Sequence, residues 1–219
     1  MTNFIPIFPL NLVVYPGEKL NLHIFEPRYK QLIAICFADK KPFGIPVVID
    51  GEMKDYGTMV QITDIHKTYE DGRMDIHTQG LSVFRVLESI PVIPDKLYGG
   101  AIVSHPANRE YQSAAQVKQL LGMVRQLHEV LKVTKEFAKP DDLITSYDLA
   151  HHVGLSLNQE LELLQILDEA QRCEYLRRHL VEVMPVVKEM EGLRQKIKLN
   201  GHFRELKSFG FEEPGGPAE

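Results

Sequence analysis

The chain has 219 residues, 44% of them hydrophobic, with 30 acidic and 25 basic side chains and a formal net charge of −5. That is enough apolar material for a substantial core, and no apolar run approaches the roughly 20 residues that would cross a bilayer. Acidic residues are interspersed with the basic ones in both halves, which disfavours a surface that tracks nucleic-acid phosphates. The two cysteines, Cys36 and Cys173, are too far apart for a CxxC metal site and too few for a disulfide framework. A cytoplasmic protein without a leader or membrane segment is expected.

Residues 8–29 are the most constrained stretch. Pro9, Pro16 and Pro27 each fix φ and remove a backbone donor, and Pro16-Gly17 is a turn dipeptide. After it, Leu20, Leu22 and Ile24 fall on one side of a strand and Asn21, His23 and Phe25 on the other. Glu26-Pro27 then opens a helix to Ala38, with Tyr29, Leu32, Ile33, Cys36 and Phe37 at helical spacing and Glu26 capping its first turn. The apolar run Phe43–Ile49 contains Gly44 and Pro46, which fits only an edge or bulged strand. Two strands, 57–69 and 73–79, flank Asp71-Gly72, a dipeptide suited to a two-residue type I′ loop. That loop pairs Glu70 with Arg73, Thr68 with Asp75, His66 with His77 and Asp64 with Gln79. Strands at 81–90 and 98–103 complete the set, separated by Pro91 and Pro94.

Beyond Pro106 the pattern turns helical. Val117, Leu120, Leu121, Val124, Leu127, His128 and Leu131 step by three and four, with Ser113 and Gln116 placed for a capping box. Pro140-Asp141-Asp142 breaks the pattern, a short helix runs from Ser146 to Gly154, and Ser156 with Gln159 opens another. A long helix starts at Asp168, carries Leu176, Leu180, Val183 and Val187 on one side, and is kinked or split by Pro185. The fold class is α+β. Residues 1–106 form a mostly antiparallel, barrel-like sheet of six or seven strands with one inserted helix, 107–208 a helical bundle ending in a long helix, and 209–219 a disordered tail.

Three spaced pieces carry a family resemblance. Ile7-Phe8-Pro9-Leu10, then Tyr15-Pro16-Gly17-Glu18, then Leu22-His23-Ile24-Phe25-Glu26-Pro27-Arg28-Tyr29 resemble the signature of the Lon protease amino-terminal domain, a substrate-binding module also found free-standing. The stretch from Asp141 through Leu155 to Arg178 is similar to the helical bundle of that family, and its long helix corresponds to much of 168–199. The resemblance implies a PUA-like pseudo-barrel followed by the bundle. It also implies a non-catalytic module, without cofactor, that binds unfolded or apolar polypeptide segments or a protein partner, alone or with a separate protease. Tyr15, Phe25, Arg28, Tyr29 and Phe43 are the residues expected to form its groove or patch. Against that stands a purely architectural reading, in which Phe25 and Tyr29 pack the helix on the sheet.

The chemistry of catalysis is not apparent in the sequence. It contains no G-x-x-x-x-G-K-[ST] loop and no G-x-S-x-G elbow, and His128-Glu129-Val130-Leu131-Lys132 lacks the second histidine of a zincin. Cys36 is expected in the core, and His23 is expected to bond backbone near the turn. His151 and His152 are adjacent on a helix, about 100° apart, and poorly placed to grip one ion. His66 and His77 face each other across the hairpin with Asp64 and Asp75 nearby, a usable zinc set, although a solvated polar face accounts for the same pattern and no metal is assigned. Two other functions follow from these features: nucleic-acid binding by analogy with PUA domains, and a metal-dependent hydrolase at the hairpin histidines.

Overall fold

The computed structural model describes residues 2–109 and 114–207, with side chains for 3–109 and 114–196. Ser113 of the expected capping box and the 209–219 tail lie outside the described residues. The first half contains β1 (Thr2–Pro6), β2 (Lys19–Ile24), α1 (Pro27–Ala38), β3 (Phe43–Ile49), β4 (Glu52–Thr68), β5 (Met74–Ile90) and β6 (Gly100–Ser104). The strands form one six-stranded sheet in the order β1-β6-β5-β4-β3, with β2 on β5. Every strand pairing is antiparallel. Parallel bridges from Ile7 to Gly44 and from Leu10 to Val47 tie the chain after β1 to β3, so the two ends of this order come together.

The expected strands at 73–79 and 81–90 are one strand. Gly80 bends β5 rather than ending it: the first half of β5 pairs with β4 and β2, the second with β4 and then β6. A Cβ at Gly80 would lie 2.2 Å from the Tyr15 carbonyl oxygen, so only glycine admits the chain that docks there. The hairpin register also differs from the two-residue reading. Tyr69 N donates to Arg73 O (2.9 Å) and Gly72 N to Tyr69 O (2.9 Å), which closes a three-residue loop with Gly72 at φ 77°. Asp71 favours this loop because its carboxylate accepts from both Arg73 N (3.1 Å) and Arg73 Nε (2.6 Å). The pairs are therefore Thr68 with Met74, Asp64 with His77 and Gln61 with Gln79, and bulges leave His66 and Thr63 as extra residues on β4.

The alternation expected in β2 holds: Ile24 is buried, Leu20 and Leu22 half-buried, and Asn21 and His23 exposed. In α1, Tyr29, Leu32, Ile33 and Cys36 are buried against Ile24, Phe43, Ile45, Val60 and Ile76 of the sheet, while Phe37 lies off the stripe and is exposed. Glu26 occupies the N-cap but makes no side-chain cap. Its carboxylate accepts instead from Arg28 Nε at 2.8 Å.

The second half contains α2 (Ala114–Leu131), a 3-10 turn at Asp141–Leu143, α3 (Ser146–Ala150), α4 (Leu157–Gln165) and α5 (Glu169–Lys207). The Ser156–Gln159 capping box is formed, with Ser156 N donating to Gln159 Oε1 at 2.9 Å and Gln159 N to Ser156 Oγ at 3.4 Å. Pro185 does not split α5. It lies on the exposed side of the helix, where a freed carbonyl is open to solvent. Val13, Tyr15, Val47, Ile49 and Val83 of the sheet half share one continuous core with Leu120, Val124, Leu149, Leu163 and Leu176. The sheet is thus covered by α1 on one side and by the helical half on another.

A buried ion pair fixes the start of α5. Arg172 is 1% exposed, and its guanidinium donates to Glu169 Oε2 (2.7 Å), Ser146 Oγ (2.9 Å), Asn108 Oδ1 (2.8 Å) and the Ile166 carbonyl (2.8 Å). Glu169 in turn accepts from Ser146 N and Ser146 Oγ, both at 2.7 Å. Removing one partner leaves an uncompensated buried charge, so Arg172→Ala is expected to cost about 3–5 kcal/mol by urea unfolding. The exposed Arg178, paired with Glu174 at 2.8 Å, is the contrast: Arg178→Ala should cost less than about 1 kcal/mol.

Candidate functional site

The five residues expected to form one groove are placed in three different settings. Tyr29 is buried, stacked on Phe8 with ring centroids 3.8 Å apart, and Phe43 is buried on the other side of Phe8 at 6.4 Å. Both belong to the core under α1, because the first turn of α1 and the start of β3 point inward. Tyr15 is buried on the bundle side of the sheet. These three offer no surface to a ligand. Phe25, by contrast, is 60% exposed beside His23, whose Nδ1 meets Asp75 Oδ1 at 2.6 Å. This carboxylate contact replaces the backbone bond expected of His23, and it holds the Asp75 carboxyl below its ordinary range, with help from the Tyr69 hydroxyl. Arg28 is exposed but folds back on its own turn, bonded to Glu26 and 4.5 Å above the Tyr29 ring.

Tyr15 belongs to a joint between sheet and bundle. Tyr15-Pro16-Gly17-Glu18 closes a turn with Glu18 N donating to Tyr15 O at 3.1 Å. The turn is clamped to the bend of β5 by Gly17 N to Gly80 O (2.9 Å) and Gly80 N to Glu18 O (2.8 Å). The Tyr15 ring lies 5.2 Å from Tyr147 and 4.9 Å from His151, and its hydroxyl donates to the Glu160 carbonyl at 3.1 Å. Burial, with the Glu160 and Glu18 charges, pushes the Tyr15 phenol far above its usual range. His151 bridges two carboxylates, Glu160 Oε1 at 2.7 Å from Nδ1 and Glu18 Oε2 at 3.2 Å from Nε2. Burial alone would lower its pKa, but the bonds to Glu160 and Glu18 outweigh that and raise it from 6.5 to about 9.

An apolar concavity lies on the other side of the sheet half. Phe4 and Pro6 of β1, Ile35 of α1, Leu81 of β5 and Ile93 and Tyr98 of the loop before β6 line a groove of about 810 Å³. Phe4 is 51% exposed and Leu81 48% exposed. Leu81 points outward because it is the extra residue of a bulge, with Gly80 paired to Val60 and Ser82 to Met59. The loop is pinned by Leu97 N donating to Gln31 Oε1 at 2.7 Å, which leaves Leu97 itself exposed. Lys41, Lys96, His105 and Asp39 lie at the groove and supply its charge. A second depression, of about 600 Å³ between α4 and α5, mixes Ile166, Ala170 and Tyr175 with the charged Glu174, Arg178 and Glu182. Sequence reasoning missed the groove. The available signals were Phe4 in an opening apolar run and the apolar residues between Pro91 and Tyr98, which read only as a connection.

Both cysteines are free and buried. Burial pushes the Cys36 thiol up to about 11 and, with the Glu169 charge, the Cys173 thiol up to about 12.

The antiparallel sheet with one inserted helix, backed by a helical half, resembles the fold of solved Lon amino-terminal domains. The family model described as the ATP-dependent protease La (LON) substrate-binding domain matches residues 5–182, and the chain belongs to that family. It is 23% identical over 220 residues to the Lon protease of Geobacter metallireducens, an alignment that takes in 92% of this chain and 26% of that protein. The chain thus spans about a quarter of the length of this curated relative. The crystal structure of a Lon N-terminal domain protein from Xanthomonas campestris is 28% identical with a TM-score of 0.61, covering 80% of this chain and 98% of that one. The N-terminal domain of the Mycobacterium avium complex Lon protease shares the fold at 15% identity and a TM-score of 0.59, covering 82% and 98%. No helix among the described residues is long and apolar enough to cross a membrane.

The His151 bridge has a pH signature. Its folded pKa of about 9 lies above the ordinary 6.5, so the stability it contributes is fully present below pH 6.5 and is lost as pH rises through 9. The difference in urea midpoint between the wild type and His151→Gln, followed from about pH 6 to about pH 10, should shrink over that window. A difference that does not change with pH would contradict the bridge.

Proposed function

We propose that this chain is a binding module without turnover of its own, which holds apolar segments of unfolded client polypeptides in the groove between β1, α1 and the bulge of β5. The observation that carries this reading is the convergence of half-exposed apolar side chains, Phe4 and Leu81, on a concavity of about 810 Å³. The family's description as a substrate-binding domain supports it. Fully burying a Phe or Leu side chain is worth about 1.5–3 kcal/mol, and ordering a flexible segment offsets much of that gain. Affinity is therefore weak and broad, suited to sampling many clients rather than holding one. Delivery of the bound segment to a separate protease belongs to the same reading. So does a cytoplasmic setting, which is consistent with two free, buried cysteines in separate cores. Phe25 and Arg28, exposed at the start of α1, are proposed as a secondary contact for the same chain.

Fluorescence anisotropy with a reduced, carboxymethylated client tests this. Phe4→Ser/Leu81→Ser should weaken binding about tenfold or more, because it removes roughly 2 kcal/mol of apolar contact. Phe25→Ser/Arg28→Ala should weaken it less. Wild-type affinity in a folded Phe4→Ser/Leu81→Ser variant would overturn the assignment of the groove.

A further inference from the structure

The β4–β5 hairpin carries a second chemical feature, remote from the apolar groove. Asp64 and His77 are register partners, and His66 is the extra residue of the next bulge. The bulge re-aims His66 so that its ring lies 5.0 Å from that of His77, at an interplanar angle of 30°. One ligand atom from each of Asp64, His66 and His77 lies within 4.8 Å of the other two. Asp64 Oδ2 sits 3.7 Å from His77 Nδ1, too far for a hydrogen bond. We propose that Asp64, His66 and His77 form a binding site for one divalent transition-metal ion of the zinc, nickel or copper class.

His23, His151 and His179 spend ring nitrogens on protein partners: His23 on Asp75, His151 on Glu18 and Glu160, His179 on the Val153 carbonyl. The rings of His66 and His77 make no hydrogen bond among the described residues, so their lone pairs are available to a cation. Nearby competitors are already engaged. Asp75 is taken by His23 and Tyr69, and the Lys67 ammonium is drawn 4.5 Å above the Tyr69 ring, which keeps a like charge from closing on the site. Ligands around a tetrahedral zinc lie roughly 3.3 Å apart, given bonds of about 2.0 Å, so small side-chain rotations bring these atoms into place without moving the strands. Two imidazoles and one carboxylate favour borderline cations over magnesium or calcium, which prefer all-oxygen shells. The Asp64 and His77 side chains are 60% and 41% exposed. The ion therefore keeps open coordination positions facing solvent.

The test is calorimetric titration of the full chain, purified without a histidine tag and stripped with a chelator, using zinc chloride and, separately, magnesium chloride. One zinc per chain is expected, with no magnesium binding. His66→Ala and His77→Ala should each weaken zinc binding at least about tenfold, since even loss of an outer-shell partner costs that much. Cobalt provides a second readout: a visible absorption band that saturates at one equivalent and is absent in both variants. Asp64→Asn keeps the shape of the hairpin and should weaken binding in the same direction. The proposal is overturned if zinc does not bind, or if folded His66→Ala and His77→Ala variants bind it as the wild type does.

Discussion

The docking of the Tyr15–Glu18 turn against the bend of β5 is the constraint on which the two halves of the molecule depend. One side of this short turn is spent on backbone bonds to Gly80, and the other presents the Tyr15 ring and the Glu18 carboxylate to α3 and α4. The buried Thr58 hydroxyl donates to the Val14 carbonyl and secures the approach to the turn from the sheet. Three requirements meet at this point. Gly80 must lack a side chain, Pro16 and Gly17 must set the turn, and Tyr15 must fill a buried site where its hydroxyl donates to the Glu160 carbonyl. A turn that served the sheet alone would not need a tyrosine at its first position.

Packing also explains why Tyr15, Tyr29 and Phe43 do not make a binding surface. Tyr15, Tyr29 and Phe43 are fully committed to packing, two of them around Phe8 under α1 and one between sheet and bundle. The proposed binding surface is built from residues with no such duty, positioned by elements the packing has already made rigid. Phe4 stands on a strand paired to β6, Leu81 on a bulge in the central strand, and Ile93 in a loop tethered to Gln31. Apolar side chains held open in this way have little ordering entropy left to lose when a chain settles on them.

Much of the fold was legible because it is written in local chemistry. The alternation of Leu20, Leu22 and Ile24, the spacing of Tyr29, Leu32, Ile33 and Cys36, and the Ser156–Gln159 box each depend on near neighbours, and each appears in the structure as the pattern implies. The departures have longer-range causes. Gly80 reads as a strand break until Tyr15, 65 positions away in the chain, is seen to need the space. The three-residue loop wins over the two-residue one through bonds from Arg73 to Asp71, and bulges then reset every pair below it. Of the five residues expected to form a groove or patch, only Phe25 and Arg28 are exposed. The outward turn of Leu81 depends on a bulge that no alternation of apolar residues encodes, and the buried Arg172–Glu169 pair looks in sequence like an ordinary i,i+3 surface bridge.

The most direct test of the proposed groove is photo-crosslinking, with a photo-reactive amino acid placed singly at position 4, 81 or 25 and an unfolded client as the target. Crosslinks should concentrate at positions 4 and 81, which line the groove, and should fall on apolar segments of the client. Crosslinking confined to position 25, or spread evenly over all three positions, would contradict a groove formed by β1, α1 and the β5 bulge.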